Sequence, residues 1–381
     1  MDLFEQPVQR AARLVALALL ADAQKARGRL GDEWNADTLH DFRVAVRRLR
    51  SWLRAFRPWL DSSVPKKARR RLRKSARLTG DSRDTAVHLE WLSAQRRELS
   101  PRQRIGLAWL VERIEAQKAK ADEISSTGVV RAFDQAQRVL TRTLPEYRLR
   151  VDCDENDAHA FGPVLATLLR EHAATLERRL AKVRGFEDDD RVHRARIAAK
   201  RLRYLLEPAA TQLDSVAAAG LVADLSALQD TFGDWHDVHV FAAEIVKASE
   251  KAAADAAHQL SESVVEGEPT QDAVRAAREH DVTRGLLAVA SRLHQRGERA
   301  FADAEQRWLG AGEDLAGRVE VVARALESDN LAPNDADVAP RIRALPAAST
   351  AALIADIADS HPATPKKLPR PSEESPAPSV T

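Results

Sequence analysis

Apolar residues recur along this chain at three- and four-residue spacings, and no stretch alternates with period two. The pattern therefore predicts helices and no sheet. Residues 6–29 carry the first apolar stripe. Asp37 or Thr38 is placed to cap a second helix reaching about Leu60, with Phe42, Val46, Leu49, Trp52, Leu53, Phe56 and Trp59 on one side. Pro65 opens a third helix that ends at Gly80, and Asp81-x-x-Asp84 resembles a capping box for a fourth through Arg97. Pro101 opens a fifth helix, residues 128–143 form a sixth, and Pro145 with the acidic run at 152–157 marks a boundary. Beyond it the pattern predicts helices over about 158–184, from there to about Glu207, up to about Phe232, from Asp234 onward, and over 270–309. Residues 310–357 read as partly helical, and the tail from His361, with six prolines in 21 residues, reads as disordered.

The polar positions repeat as well. His40-x-x-Arg43-x-x-x-Arg47-Arg48-Leu49-Arg50 returns 153 positions later as His193-x-x-Arg196-x-x-x-Lys200-Arg201-Leu202-Arg203. Gly80-Asp81-x-x-Asp84 returns at the same spacing as Gly233-Asp234-x-x-Asp237. Two motifs in one register predict a duplicated unit of about 150 residues: residues 1–150 and 151–310 as two pseudo-symmetric antiparallel helical bundles, then a peripheral segment at 311–360 and a disordered tail at 361–381.

Composition narrows the class. Aromatics make up 5% of the 381 residues, and Cys153 is alone, which excludes an intramolecular disulfide and suits a reducing cytoplasm. No run approaches the roughly twenty apolar residues a membrane span needs, and the N-terminus carries no secretory pattern. Net charge is only +2, yet residues 40–77 hold 14 Lys/Arg against two Asp. So dense a basic segment in a nearly neutral chain points to a localised anion site.

Helical projection gives that site a shape. At about 100° per residue, His40, Arg43, Arg47, Arg50 and Arg54 fill one arc of roughly 80°, with the apolar residues on another side. His193, Arg196, Lys200 and Arg203 share the same arc in the second copy, where Glu207 stands in for Arg54. The next helix adds Lys66, Arg69, Arg70, Arg73 and Arg77, which border the same groove if it packs antiparallel to the first. Their second-copy counterparts include Val222, Ser226 and Asp230, so the first half supplies most of the charge. Arg48 and Arg201 match the motif but sit off the arc, and Arg83 and His236 lie at the groove mouth; these four rank lower as contacts.

A cationic rail of this length suits a polyanion with regular phosphates. Base reading needs exposed aromatics, Asn or Gln, whereas Trp52 and Trp59 lie on the apolar arc and residues 40–77 contain neither Asn nor Gln. Asp234-Trp235-His236-Asp237-Val238-His239 could be read as a metal cluster, but Arg83 and Ala86 replace its histidines in the first copy. Helix capping by the aspartates explains both copies, and no metal is expected. No Gly-rich phosphate loop, Walker-type Lys or magnesium-binding carboxylate cluster accompanies the histidines, so no catalytic residues and no cofactor are expected either.

These two histidine–arginine helices, each followed by a Gly-Asp-x-x-Asp turn, resemble the CHAD (conserved histidine α-helical domain) family over roughly residues 6–310. The resemblance implies an all-α fold of two bundles with a basic groove or pore, binding of inorganic polyphosphate, and association with polyphosphate granules in the cytoplasm. Carried over position by position, the ligand-facing set is His40, Arg43, Arg47, Arg50, His193, Arg196, Lys200 and Arg203. No triphosphate-tunnel domain of the kind fused to some members precedes the first motif, so the expected role is non-catalytic. The alternatives are a sequence-independent nucleic-acid binder and, behind it, a metal-dependent polyphosphate or triphosphate hydrolase.

Overall fold

A computed structural model describes residues 3–61, 63–146, 159–213, 215–265, 281–310 and 314–328, without the side chains of 81–83, 124–125 and 263. Among these residues every regular element is a helix: α1 (Val8–Asp32), α2 (Ala36–Ala55), the single turn α3 (Arg57–Leu60), α4 (Lys66–Leu78), α5 (Gly80–Gln95), α6 (Gln103–Thr143), α7 (Phe161–Leu180), α8 (Asp189–Leu213), α9 (Val216–Val265), α10 (Asp281–Ala304) and α11 (Leu315–Glu327). The acidic boundary at 152–157, Cys153 and the tail lie outside the described residues.

Several ends differ from the sequence reading, each for a local reason. Asn35 caps α2 in place of Asp37 or Thr38: its side-chain oxygen accepts the Asp37 and Thr38 amides at 3.1 and 2.9 Å, and the Thr38 hydroxyl accepts the Asn35 amide in return. The expected fifth and sixth helices are one, α6, of 41 residues. Gly128 lies inside it because a methyl of Leu78 from α4 packs 3.0 Å from where a Cβ would stand. Likewise α9 runs unbroken for 50 residues through Gly233 and Asp234. Asp234 and Asp237 are therefore mid-helix and cap nothing, which corrects the capping account of that motif. Helix α8 also continues past Glu207 with Pro208 inside it. The proline forfeits a bond to the Tyr204 carbonyl, but Leu205, Leu206 and Ala209 are all buried around it and hold the helical path.

Two regions of packing result, both within one unit, Met1–Ile342. At one end α5, the first part of α6, the second part of α9 and α10 surround a core that includes Leu92, Leu107, Leu110, Phe241, Ile245, Leu286 and Leu293. Gly106 and Gly285 meet where α6 crosses α10; a Cβ on Gly106 would stand 2.3 Å from the Val282 carbonyl oxygen, so only glycine permits the approach. At the other end α1, α2, α7, α8 and α11 pack around Trp52, Phe56 and Phe161, whose rings lie 4.3–6.1 Å apart. The indole N–H of Trp52 donates to the Ala12 carbonyl at 2.9 Å, so this buried ring has neither a face nor a polar edge left for a ligand. An isolated bridge between Pro7 and Ala160 ties the entry of α1 to that of α7.

Candidate functional site

The motif helices sit where three elements converge. Helix α4 runs antiparallel to α2, since Arg43 reaches Thr79 and Gly80 while Arg50 lies beside Arg73. Helix α9 runs antiparallel to α8 in the same way: Arg196 meets Gly233 and Asp237, and Arg203 meets Ser226. Finally α2 and α8 pack on each other, with Arg48 reaching Glu207 and Arg54 beside Arg201. The expected rail is thus a seam between helices.

The seam sorts its cations by what already holds them. Arg43 donates to the carbonyls of Thr79 and Gly80 at the end of α4, which seats it on the negative end of that helix. Arg196, 153 positions on, lies over Gly233, with its Nη2 3.0 Å from a notional Cβ, and 3.8 Å from Asp237. The Gly-Asp-x-x-Asp motif is therefore the seat of the motif arginine in the second copy. Arg48 pairs with Glu207 at 2.7 Å, and Glu207 also lies 3.3 Å from Arg203, which donates to Ser226 at 2.7 Å. Arg69 is ion-paired with Asp61, whose carboxyl is held below its usual range first by that hydrogen bond and then by Arg57.

The remaining cations have no carboxylate partner among the described residues: Arg47, Arg50 and Arg54 on α2, Lys66, Arg70, Arg73 and Arg77 on α4, and Lys200 and Arg201 on α8. Arg50 shows the cost. Its guanidinium pKa is lowered by burial and then by Arg73, Arg47 and Arg54. Lys200 shows it more strongly: burial, then Arg196 and Arg47, outweigh the opposite pull of Asp237 and bring the ammonium down to about 6. Arg201 is lowered by burial and next by Arg54 and Arg179. Although it sits off the projected arc of α8, the crossing of α2 brings it to Arg54.

The histidines differ between copies. His236 bridges Asp189, 2.6 Å from its Nδ1, and His193, 3.1 Å from its Nε2. With Asp189 ionised, His236 donates to the carboxylate and accepts from His193 Nδ1–H, leaving His193 Nε2 as an acceptor. Burial, then His236 and Arg196, push His193 below its ordinary pKa, so it is neutral at pH 7 in the free protein. Ala36 stands 153 positions before Asp189, so that carboxylate has no counterpart in the first copy. His40 is exposed near the start of α2, and the side chain of Arg83 lies outside the described residues. No group of three or more metal-ligating side chains occurs among the described residues.

Sequence reasoning missed Arg179 and His172 on α7. Both face the Arg54–Arg201 contact, and His172 is lowered by burial and then by those two arginines. They lie seven residues apart, one face of a helix, but no motif marks them. The cleft between α5 and α6, bordered by Leu89, Leu92 and Val111 and by Arg96, Arg104 and Glu112, is lined by none of these groups.

The CHAD domain family matches residues 15–246. The solved CHAD domain from the plant Ricinus communis matches with a TM-score of 0.53 and 18% identity, covering 85% of this chain and 94% of that one. At that identity the likeness speaks for the fold. No curated protein sequence matches the chain. No described helix is long and apolar enough to cross a membrane.

Proposed function

The chain belongs to the CHAD domain family, and from that premise we propose that it binds inorganic polyphosphate along the seam of α2, α4 and α8. One observation carries the reading. Arg47, Arg50, Arg54, Arg73, Lys200 and Arg201 are gathered from three helices with no carboxylate partner among the described residues. Packing like charges together costs stability in the free protein, and a polyanion lying along them recovers it. Guanidinium forks suit phosphate oxygens, which arginine grips in pairs and lysine as a point charge.

The division of the seam assigns roles. Arg43 and Arg196 position the seam, each spent on its own protein partner. The unpartnered set on α2 and α4 forms the main contact, and the second half contributes less because Ser226 and Glu207 already occupy Arg203. His193 adds a contact that strengthens as pH falls, since its Nε2 must be protonated to donate to a phosphate. Retention at polyphosphate granules in the cytoplasm follows from such binding, and the protein acts without catalysis, cofactor or metal. The buried indole of Trp52 supports phosphate binding over base stacking.

Competition tests the choice of ligand. Labelled long-chain polyphosphate is bound, then challenged with duplex DNA at matched phosphate concentration and fixed salt. Polyphosphate that stays bound agrees with the reading, and ready displacement by DNA favours a general nucleic-acid binder.

A further inference from the structure

Lys200 is a lysine in an unusual position. On α8 it follows Arg196 by four residues and precedes Arg203 by three, so guanidinium groups lie one turn away on either side. Arg47 approaches from α2 across the helix contact. Among the described residues, the carboxylate that bears on it is Asp237 of α9, which also faces Arg196 at 3.8 Å. The side chain is partly buried, and its amine is paired with no carboxylate among the described residues. Such surroundings expel a proton, and the ammonium falls from 10.5 to about 6. At pH 7 the group is a neutral amine with a free lone pair, set in a phosphate-binding cradle.

We propose that Lys200 is a site of acylation by acyl phosphates, with Arg47, which has no carboxylate partner among the described residues, holding the phosphoryl end while the amine takes the acyl group. The amine lone pair attacks the acyl carbonyl carbon. A C–N bond forms as the C–O bond to the phosphoryl group breaks, inorganic phosphate departs with that electron pair, and the proton shed by nitrogen passes to the departing phosphate. Nothing is oxidised or reduced. The product is an amide that cannot take up a proton, so acylation denies the seam the cation it would gain when an anion binds, while bound polyphosphate covers and protonates the amine and blocks the reaction. The inference rests on the seam being an anion site, as in the preceding reading, but its chemistry is measured separately.

The test incubates the full-length protein with acetyl phosphate from pH 6.5 to 9 and maps acetylated lysines by peptide mass spectrometry over time. Exposed Lys247 and Lys251, on the second part of α9 away from the seam, serve as internal references. An ordinary lysine is neutral only in about one part in several thousand at pH 7, whereas Lys200 is mostly neutral. Its lower basicity returns part of that gain, leaving an advantage of about tenfold. The proposal expects Lys200 to react about tenfold faster than the references at pH 7, with a rate nearly flat above pH 7, while theirs climb about tenfold per pH unit. A Lys200 rate that climbs in parallel with the references, or references acetylated with Lys200 unmodified, overturns it. Polyphosphate should suppress modification of Lys200 and leave the references unchanged. A fast, pH-flat Lys200 that polyphosphate does not protect upholds the acylation and counts against polyphosphate binding at this seam.

Discussion

Replacing Lys200 with methionine should stabilise the free protein, by an amount that depends on pH. The methionine keeps most of the aliphatic stem that packs against α8's neighbours and removes the charge. In the unfolded chain Lys200 has its ordinary pKa of 10.5, and in the fold it drops to about 6. At pH 7.5, three units below the unfolded pKa, folding must therefore strip this proton, at a cost of up to about 4 kcal/mol. The side chain is only partly buried, and solvent screening reduces this to about 2–3 kcal/mol. The sign follows from proton counting. Between pH 6 and 10.5 the unfolded state binds more protons than the folded one, so this group's penalty shrinks as pH rises. Urea unfolding at pH 7.5, 8.5 and 9.5 reads the difference. The variant should exceed the wild type by about 2–3 kcal/mol at pH 7.5 and by less than about 1 kcal/mol at pH 9.5, with equal denaturant slopes. Parallel pH profiles, or a variant no more stable at pH 7.5, would refute the claim that the seam holds an uncompensated lysine.

Other outcomes follow from the same structure. His88 is buried, stacks on Phe241 at 4.0 Å, and is pushed down to about 4, chiefly by burial. A base with a depressed folded pKa stabilises only while neutral, so the wild type should lose about 3 kcal/mol as pH falls from 6.5 to 4, and His88→Leu should lose correspondingly less in urea titrations. Glu207→Gln frees both Arg48 and Arg203; polyphosphate affinity should rise severalfold at low salt, with a steeper dependence on salt in fluorescence titrations. Because Lys200 takes up a proton when an anion binds beside it, polyphosphate affinity of the wild type should fall with rising pH between 7 and 9, and that of Lys200→Met should change less.

Much of the fold was legible because burial is periodic. Phe42, Val46, Leu49, Trp52 and Leu53, placed on one face by spacing, are all buried. The readings that failed concerned residues whose meaning depends on a distant neighbour. The expected helix boundaries at 128 and 233 fall on glycines inside α6 and α9, and each is small because a side chain from another helix, Leu78 or Arg196, lies against it. Asp237 read as a cap, and its partner Arg196 stands 41 positions earlier on a different helix. The site shows the same division. The residue types of the rail could be projected on one helix, but which arginines remain unpartnered depends on Thr79, Asp61, Glu207 and Ser226. Arg201 was ranked low because one-helix geometry leaves out the crossing of α2 that sets it beside Arg54.

The unpartnered arginines of α2 are the proposed polyphosphate contact. Arg47→Glu combined with Arg50→Glu reverses two of them and spares Arg43, whose replacement would disturb the end of α4. The measurement is a titration with long-chain polyphosphate at fixed ionic strength, with circular dichroism of the same samples. Unchanged helicity with affinity lowered by about a hundredfold or more is the predicted result. Binding within about twofold of wild type, in a variant of unchanged helicity, would contradict the account.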